Sequence, residues 1–271
     1  MLSKNDLQST WQELGLAAGD NLVIHSAIRT LGPVEGGAET VLDSLSETVG
    51  EEGCLVFPCF NYSRPRPEPW FDPLVTPGRT GILGELARKR PGAHRSLHPT
   101  HSVAALGRPA PEIVCGHLEA GAFGVGSPLD KLAMAYDGKI LLLGVPQTAN
   151  STIHIAESHA RRPKEDPGNP PGTVRLKLEK IVEHTLDWSA TCSVAFGEVE
   201  HPLRSRAAIQ DARQGDALLQ LISGKTVVST VTEMLRQNPF SLLCTNPACA
   251  ACTRITRNLH APDRPASDDS I

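Results

Sequence analysis

Apolar and polar positions along the chain follow two rhythms. Leu7, Trp11 and Leu14 recur at helical spacing behind Ser3 and Asp6, and Gly15 follows them, which predicts a capped amphipathic helix ending near Leu14. Leu22, Val23 and Ile24 then form an unbroken apolar triplet, the mark of a buried strand, with His25 and Ser26 at its C-terminal end expected to face whatever lies above the sheet. From Ala38 onward Val41, Leu42, Leu45 and Val49 return to helical spacing, and Gly50 to Gly53 closes that helix before a second strand at Cys54 to Phe57.

Residues 61–77 are rich in proline and carry no period, which predicts a surface loop or lid. Gly81 to Lys89 fits a helix, Ser102 to Leu106 a strand, and Lys139 to Gly144 a strand apolar enough to be wholly buried. Asp166 to Pro171 is a proline-glycine break, and Thr226 to Gln237 predicts a late helix with Val227, Val231, Met234 and Leu235 inward. There is no internal repeat. Residues 262–271 are polar and expected to be a disordered tail, so one domain is expected over residues 1–261.

Composition narrows the function more than the fold. The 271 residues are 40% hydrophobic and 21% charged with a net charge of −4, which offers no basic field for nucleic acid, and 4% aromatics give no stacking platform for single strands. The opening segment has no apolar signal-peptide core and no window reaches the roughly 18 apolar residues of a membrane span. A cytoplasmic protein is expected, with small molecules and other copies of itself, in a homo-oligomer, as partners. The seven cysteines are odd in number and scattered, which argues for reduced thiols rather than a secreted disulfide framework.

Four stretches carry candidate chemistry. In residues 23–45 a buried strand turns through Gly36 and Gly37 into a helix start, which leaves backbone N–H groups and the positive end of the helix dipole for a phosphate. No P-loop and no dinucleotide G-x-G-x-x-G is present, so an ordinary strand-to-helix turn is the alternative. Residues 95–107 place His98 and His101 at the mouth of a strand, suited to proton transfer near neutrality or to a structural role. In residues 141–160 a buried strand ends at Gly144 and a helix is expected from Asn150 or Ser151; His154 and Glu157 then share a helix face as a general base and its orienting carboxylate, or as a solvated pair. Cys244, Cys249 and Cys252 resemble three ligands of a structural zinc site, with Cys192 or His260 as the fourth. Cys59 is either a nucleophile or inert packing, and without G-x-S-x-G serine hydrolase chemistry has little support.

Taken in order, HSAIRTLGPVEGGAETVLDSL, FDPLVTPGRTGILGELARKRPGAHRSLHPTHSVAALG and GSPLDKLAMAYDGKILLLGVPQTANSTIHIAE resemble the aminoglycoside 3-N-acetyltransferase family, closely over residues 20–160 and more loosely to about residue 243. The resemblance implies an α/β fold, a single α/β/α layered domain around a mixed central sheet. It also implies acetyl transfer from acetyl-CoA to a small-molecule amine, and CoA binding by Ser26, Arg29, Thr30, Leu31, Gly32, Val34, Gly36 and Gly37 with Ser102 nearby. His154 becomes the base, Glu157 its partner, and His98 or an N–H the holder of the developing oxyanion, within a ternary complex. Where resistance members often carry an acidic residue six positions before that histidine, this chain has Thr148, so the acceptor is either an aminoglycoside or a related amine. A non-catalytic CoA-binding or partner-binding member is the alternative.

Overall fold

The computed structural model describes residues 1–61, 70–160, 172–178, 181–186 and 192–260. The Asp166 to Pro171 break, the tail at 262–271 and residues 62–69 of the expected lid lie outside them.

The strands are β1 (Asn21–Ser26), β2 (Cys54–Pro58), β3 (Trp70–Phe71), β4 (His94–Arg95), β5 (Val103–Gly107), β6 (Lys139–Leu143), β7 (Gly172–Lys177), β8 (Ile181–Leu186), β9 (Ile209–Gln214) and β10 (Ala217–Ser223). The helices are α1 (Lys4–Glu13), α2 (Gly37–Val49), α3 (Ile82–Ala87), α4 (Ala110–Val114), α5 (His117–Ala120), α6 (Pro128–Met134), α7 (Ile153–His159), α8 (Glu200–Ser205), α9 (Gly224–Gln237) and α10 (Ala250–His260). A seven-stranded sheet runs β4-β5-β2-β1-β6-β10-β9, and β3, β7 and β8 form a small second sheet. β1 is parallel to β2 and β6, while β5 and β10 pair antiparallel to β2 and β6. The sheet is mixed, as expected.

Helices cover both faces, which is why β1, β2 and β6 read as continuous apolar runs rather than alternating ones. Val23, Val56, Val103, Ile140 and Leu142 pack with residues of α4, α6, α7 and α9. Leu22, Ile24, Leu55, Phe57, Leu141 and Leu143 pack on the opposite face with residues of α1, α2 and α3. This is the α/β/α arrangement.

Local chemistry sets the element ends. Ser3 and Asp6 form a reciprocal capping box, with Ser3 N donating to Asp6 Oδ2 at 2.8 Å and Asp6 N to Ser3 Oγ at 3.2 Å, and α1 ends with Leu14 as its cap.

Three expectations need correction. His25 and Ser26 do not share a direction: strand pleating puts His25 on the side of Val23 and Ser26 on the side of Ile24. The helix expected from Asn150 or Ser151 starts later, at Ile153, after a 3₁₀ turn at Gln147–Ala149; Asn150 still acts at its entry, its Oδ1 accepting from Thr152 N at 3.1 Å. Met234 is 39% exposed, because the buried stripe of α9 runs through Val227, Val231 and Leu235 at four-residue steps and leaves Met234 on its shoulder. No helix among the described residues is long and apolar enough to cross a membrane.

Candidate active site

Because β1, β2 and β6 are parallel, their carboxyl ends share one edge: Ser26 lies opposite Leu143, and β5 starts at that edge with Val103 opposite Pro58. Open α/β sheets bind ligands there. The segments leaving that edge carry nearly all the candidate residues.

After β1, Ala27 N donates to Leu143 O at 2.8 Å and the chain enters a 3₁₀ turn at Ile28–Leu31. Thr30 holds the turn in place, its hydroxyl donating to Ala27 O at 2.8 Å and its carbonyl accepting from Asp216 N at 2.9 Å. Gly144 closes against it with φ +64°, where a Cβ would stand 2.0 Å from Thr30 Oγ1. Leu31 is buried, Ser26, Thr30 and Val34 are half-buried, and Arg29, Gly32, Gly36 and Gly37 are exposed. Gly36 and Gly37 have φ of +70° and +65°; Gly37 N donates to Val34 O at 3.0 Å, and no side chain caps the N-terminus of α2, which leaves the next amides, at Ala38 and Glu39, for an incoming anion. Glu39 brings an opposing negative charge to that first turn, and Arg90 offsets it at 2.5 Å.

Ser102 is fully buried, its hydroxyl donating to Cys59 O at 3.0 Å and accepting from Arg95 Nε at 3.1 Å. Arg95 also donates to the carbonyls of Pro73 and Thr76 and lies over the Phe71 ring. Ser102 thus sits behind an arginine clamp that fastens the segment after β3. Cys59 fits the packing alternative: it is buried, donates its thiol to Gly84 O at 3.1 Å, and burial pushes it up to about 11.

His154, in the first turn of α7, is 7% exposed. Its Nδ1 is 2.6 Å from Glu157 Oε2. Phe123 stacks on its face with centroids 4.7 Å apart, and Phe196 meets it edge-on at 4.7 Å. The expected pair is therefore a buried, ring-clamped dyad and not a solvated one.

Phe123 also contacts His101 at 4.8 Å, which in turn lies 5.5 Å from His98, itself 4.8 Å from His117. His98 Nδ1 accepts from His101 N at 3.0 Å, which places a ring proton on Nε2 when the imidazole is neutral. His117 Nε2 donates to Ala122 O at 3.2 Å, and its Nδ1 accepts from the Ser96 hydroxyl at 2.7 Å. Burial pushes His117 down to about 4; burial first, then the neighbouring His154 and His117, push His101 down to about 3.

The aminoglycoside 3-N-acetyltransferase family model matches residues 23–236. The chain belongs to that family, and so to the acyltransferases. Aminoglycoside N(3)-acetyltransferase VII of Streptomyces paromomycinus is 38% identical over 168 residues, 55% of this chain and 58% of that enzyme, so the chain spans under two thirds of that relative. Aminoglycoside N(3)-acetyltransferase IV of Salmonella sp. is 29% identical over 89% of this chain and 90% of its own length. Among solved structures, the apoenzyme of aminoglycoside acetyltransferase AAC(3)-IVa superposes with a TM-score of 0.83 at 27% identity, covering 94% of this chain and 97% of that one. A histidine-to-alanine mutant of the same enzyme, in complex with a gentamicin, superposes with a TM-score of 0.82 at 26% identity and the same coverage.

Within this member of the family, the sequence pattern missed Phe123, Phe196 and His117. Each is a single residue next to alanine or glycine with no periodic pattern, and only the tertiary fold brings it to His154 or His98. Of the two candidates for the fourth cysteine-cluster ligand, the structure selects Cys192, whose sulfur lies within 4.8 Å of those of Cys244, Cys249 and Cys252. His260 packs instead against the Phe240 ring at 5.0 Å.

Proposed function

We propose that the protein transfers an acetyl group from acetyl-CoA to an amino group of an aminoglycoside or closely related amine, directly and within a ternary complex. The observation that carries this reading is the His154–Glu157 contact at 2.6 Å, buried between Phe123 and Phe196 on the segment that leaves β6.

An amine is mostly an ammonium at neutral pH and has no lone pair for a thioester until a proton leaves. Glu157 holds Nδ1, so His154 takes that proton at Nε2, and the carboxylate stabilises the imidazolium that forms. The C–N bond forms as the C–S bond breaks; His154 returns its proton to the leaving thiolate of CoA, then takes the second proton from the acylated nitrogen and passes it to solvent, so the products are the amide, CoA as the thiol and one proton. In this reading His98 donates from Nε2 to the thioester oxygen as it gains charge, and the bond that fixes its Nδ1 as an acceptor supports that role. No covalent enzyme intermediate is needed, and Cys59, whose thiol is raised and engaged, is not a nucleophile.

The donor is assigned to the turn after β1. The uncapped start of α2, reached through Gly36 and Gly37, favours the pyrophosphate, Arg29 adds a positive charge, and Ser26 to Val34 supply backbone along the pantetheine. Leu31 and Thr30 keep that turn rigid, while Ser102, its hydroxyl committed to Cys59 and Arg95, is given no direct contact with the donor. The family's activity and the gentamicin complex of AAC(3)-IVa support an aminoglycoside as acceptor. Incubating the protein with acetyl-CoA and a panel of aminoglycosides and simpler amines, while following released thiol, tests the proposal. Turnover that His154→Ala abolishes is expected; no turnover with any amine overturns it.

A further inference from the structure

We propose that Cys192, Cys244, Cys249 and Cys252 bind one zinc ion as a structural tetrathiolate site, which fastens the C-terminal helix to the segment that carries Phe196. Three of the sulfurs come from one short segment and the fourth from Cys192, far earlier in the chain, and all four lie within 4.8 Å of one another. A tetrahedral ion with Zn–S bonds of about 2.3 Å sets sulfurs about 3.8 Å apart, so small adjustments close the shell. A four-iron cluster holds its cysteine sulfurs further apart, across the cluster's own width, and does not fit this spacing. The four cysteines are free thiols and not two disulfides.

The surroundings suit a metal knot. Cys249 and Cys252 form a C-x-x-C step at the entry of α10, and Cys244 N points at Cys252 Sγ at 3.4 Å, a backbone donor towards a ligand sulfur. Asn246 shapes the step between them, its carbonyl accepting from Cys249 N at 3.0 Å and its Oδ1 from Ala248 N at 3.0 Å. Cys252 is buried and the other three are half-buried.

Energetics also call for a staple. α10 has 11 residues, below the roughly 12–15 at which an isolated helix is even marginal, and buries only Ala251 and Cys252. Hydrophobic contact alone is a poor anchor for it. Binding Zn²⁺ releases four thiol protons and converts the unfastened segment into a closed loop running back to Cys192. Two residues beyond Cys192 begins the 3₁₀ turn Val194–Val199, whose Phe196 ring lies 4.7 Å from His154. The ion therefore acts on the base only through Phe196, as a positioning element.

The test uses the full chain, purified without chelator and with any affinity tag removed. About one equivalent of zinc per chain is expected by elemental analysis, and growth with cobalt is expected to give the visible absorption of tetrahedral tetrathiolate cobalt. Cys192→Ser and Cys249→Ser are each expected to lose the metal, and a strong chelator to lower the melting temperature of the wild-type protein. If the variants fail to fold, the metal content and cobalt spectrum of the wild-type protein still decide. Zinc below about a tenth of an equivalent, iron in its place, or the four cluster thiols reacting at once in the native protein overturns the site.

Discussion

The Nδ1 of His154 stands 2.6 Å from Oε2 of Glu157, one turn further along the same short helix. Replacing the proposed base by His154→Ala is expected to lower kcat by roughly 10²–10⁴-fold while acetyl-CoA still binds. Glu157→Gln keeps the shape but loses the negative charge that steadies the imidazolium, so kcat should fall by about 10–100-fold with KM for acetyl-CoA nearly unchanged. Steady-state kinetics with calorimetry of CoA binding checks both. Loss of CoA affinity matching the loss of rate would show that the dyad only holds the fold.

Acid should destabilise the protein over a definite window. Burial lowers His25 to about 4, His101 to about 3 and His117 to about 4, against about 6.5 when unfolded. Between those limits the unfolded chain binds more protons, so stability is fully present above pH 6.5 and is lost as the pH falls through 4. At pH 5 the loss is roughly 2 kcal/mol per histidine. Urea unfolding at successive pH values should show this slope, and His117→Gln should flatten it. A midpoint that is constant from pH 7 to 5 contradicts the neutral, buried assignment.

The core on the α1 side contains a polar pair with a measurable coupling. Trp11 is fully buried and its Nε1 donates to Ser44 Oγ at 2.9 Å, while the Ser44 hydroxyl donates to Val41 O at 2.8 Å. Ser44→Ala strands the indole N–H and should cost about 1–3 kcal/mol. In a Trp11→Phe background the same change should cost less, and additivity in a double-mutant cycle would refute the bond's contribution.

Gly144 and Thr30 should be epistatic. Gly144→Ala puts a Cβ 2.0 Å from Thr30 Oγ1 at a φ of +64°. The backbone strain alone is about 1–2 kcal/mol, and the overlap adds to it. Thr30→Ala relieves the overlap and leaves the strain, so the double variant should be more stable than Gly144→Ala alone by thermal melting. Equal melting temperatures for the two would place the damage elsewhere.

Arg29 is exposed on the turn assigned to the donor. Arg29→Ala should raise KM for acetyl-CoA several-fold, as about 1 kcal/mol of exposed charge pairing predicts, with kcat unchanged. Added salt should narrow the difference between the two proteins.

The sequence displays its strand-helix-strand centre openly, because β1, β2 and β6 are buried on both faces and α2 carries a clean apolar stripe bounded by glycines. The hairpin of β9 and β10 escapes the same reading. β9 is a sheet edge with mostly polar residues, so Ile209 to Gln214 show no apolar alternation. β10 did offer a signal, an apolar run after Gly215, whose φ is +59° in the turn. At the site, His154 and Glu157 were legible as neighbours on a helix, but their burial was not. That depends on Phe123 and Phe196, 31 and 42 positions away from His154. Ser102 shows the converse: a polar residue near a conspicuous motif whose hydroxyl is already committed to Cys59 and Arg95.

His101 leans on Phe123, and Phe123 leans on His154. Since desolvation keeps His101 uncharged in any mildly acidic or alkaline medium, the wall behind the proposed base behaves as an insulator of fixed polarity. On the proposed reading, an acceptor bearing several ammonium groups would meet no repulsion from that wall at any pH at which the fold persists.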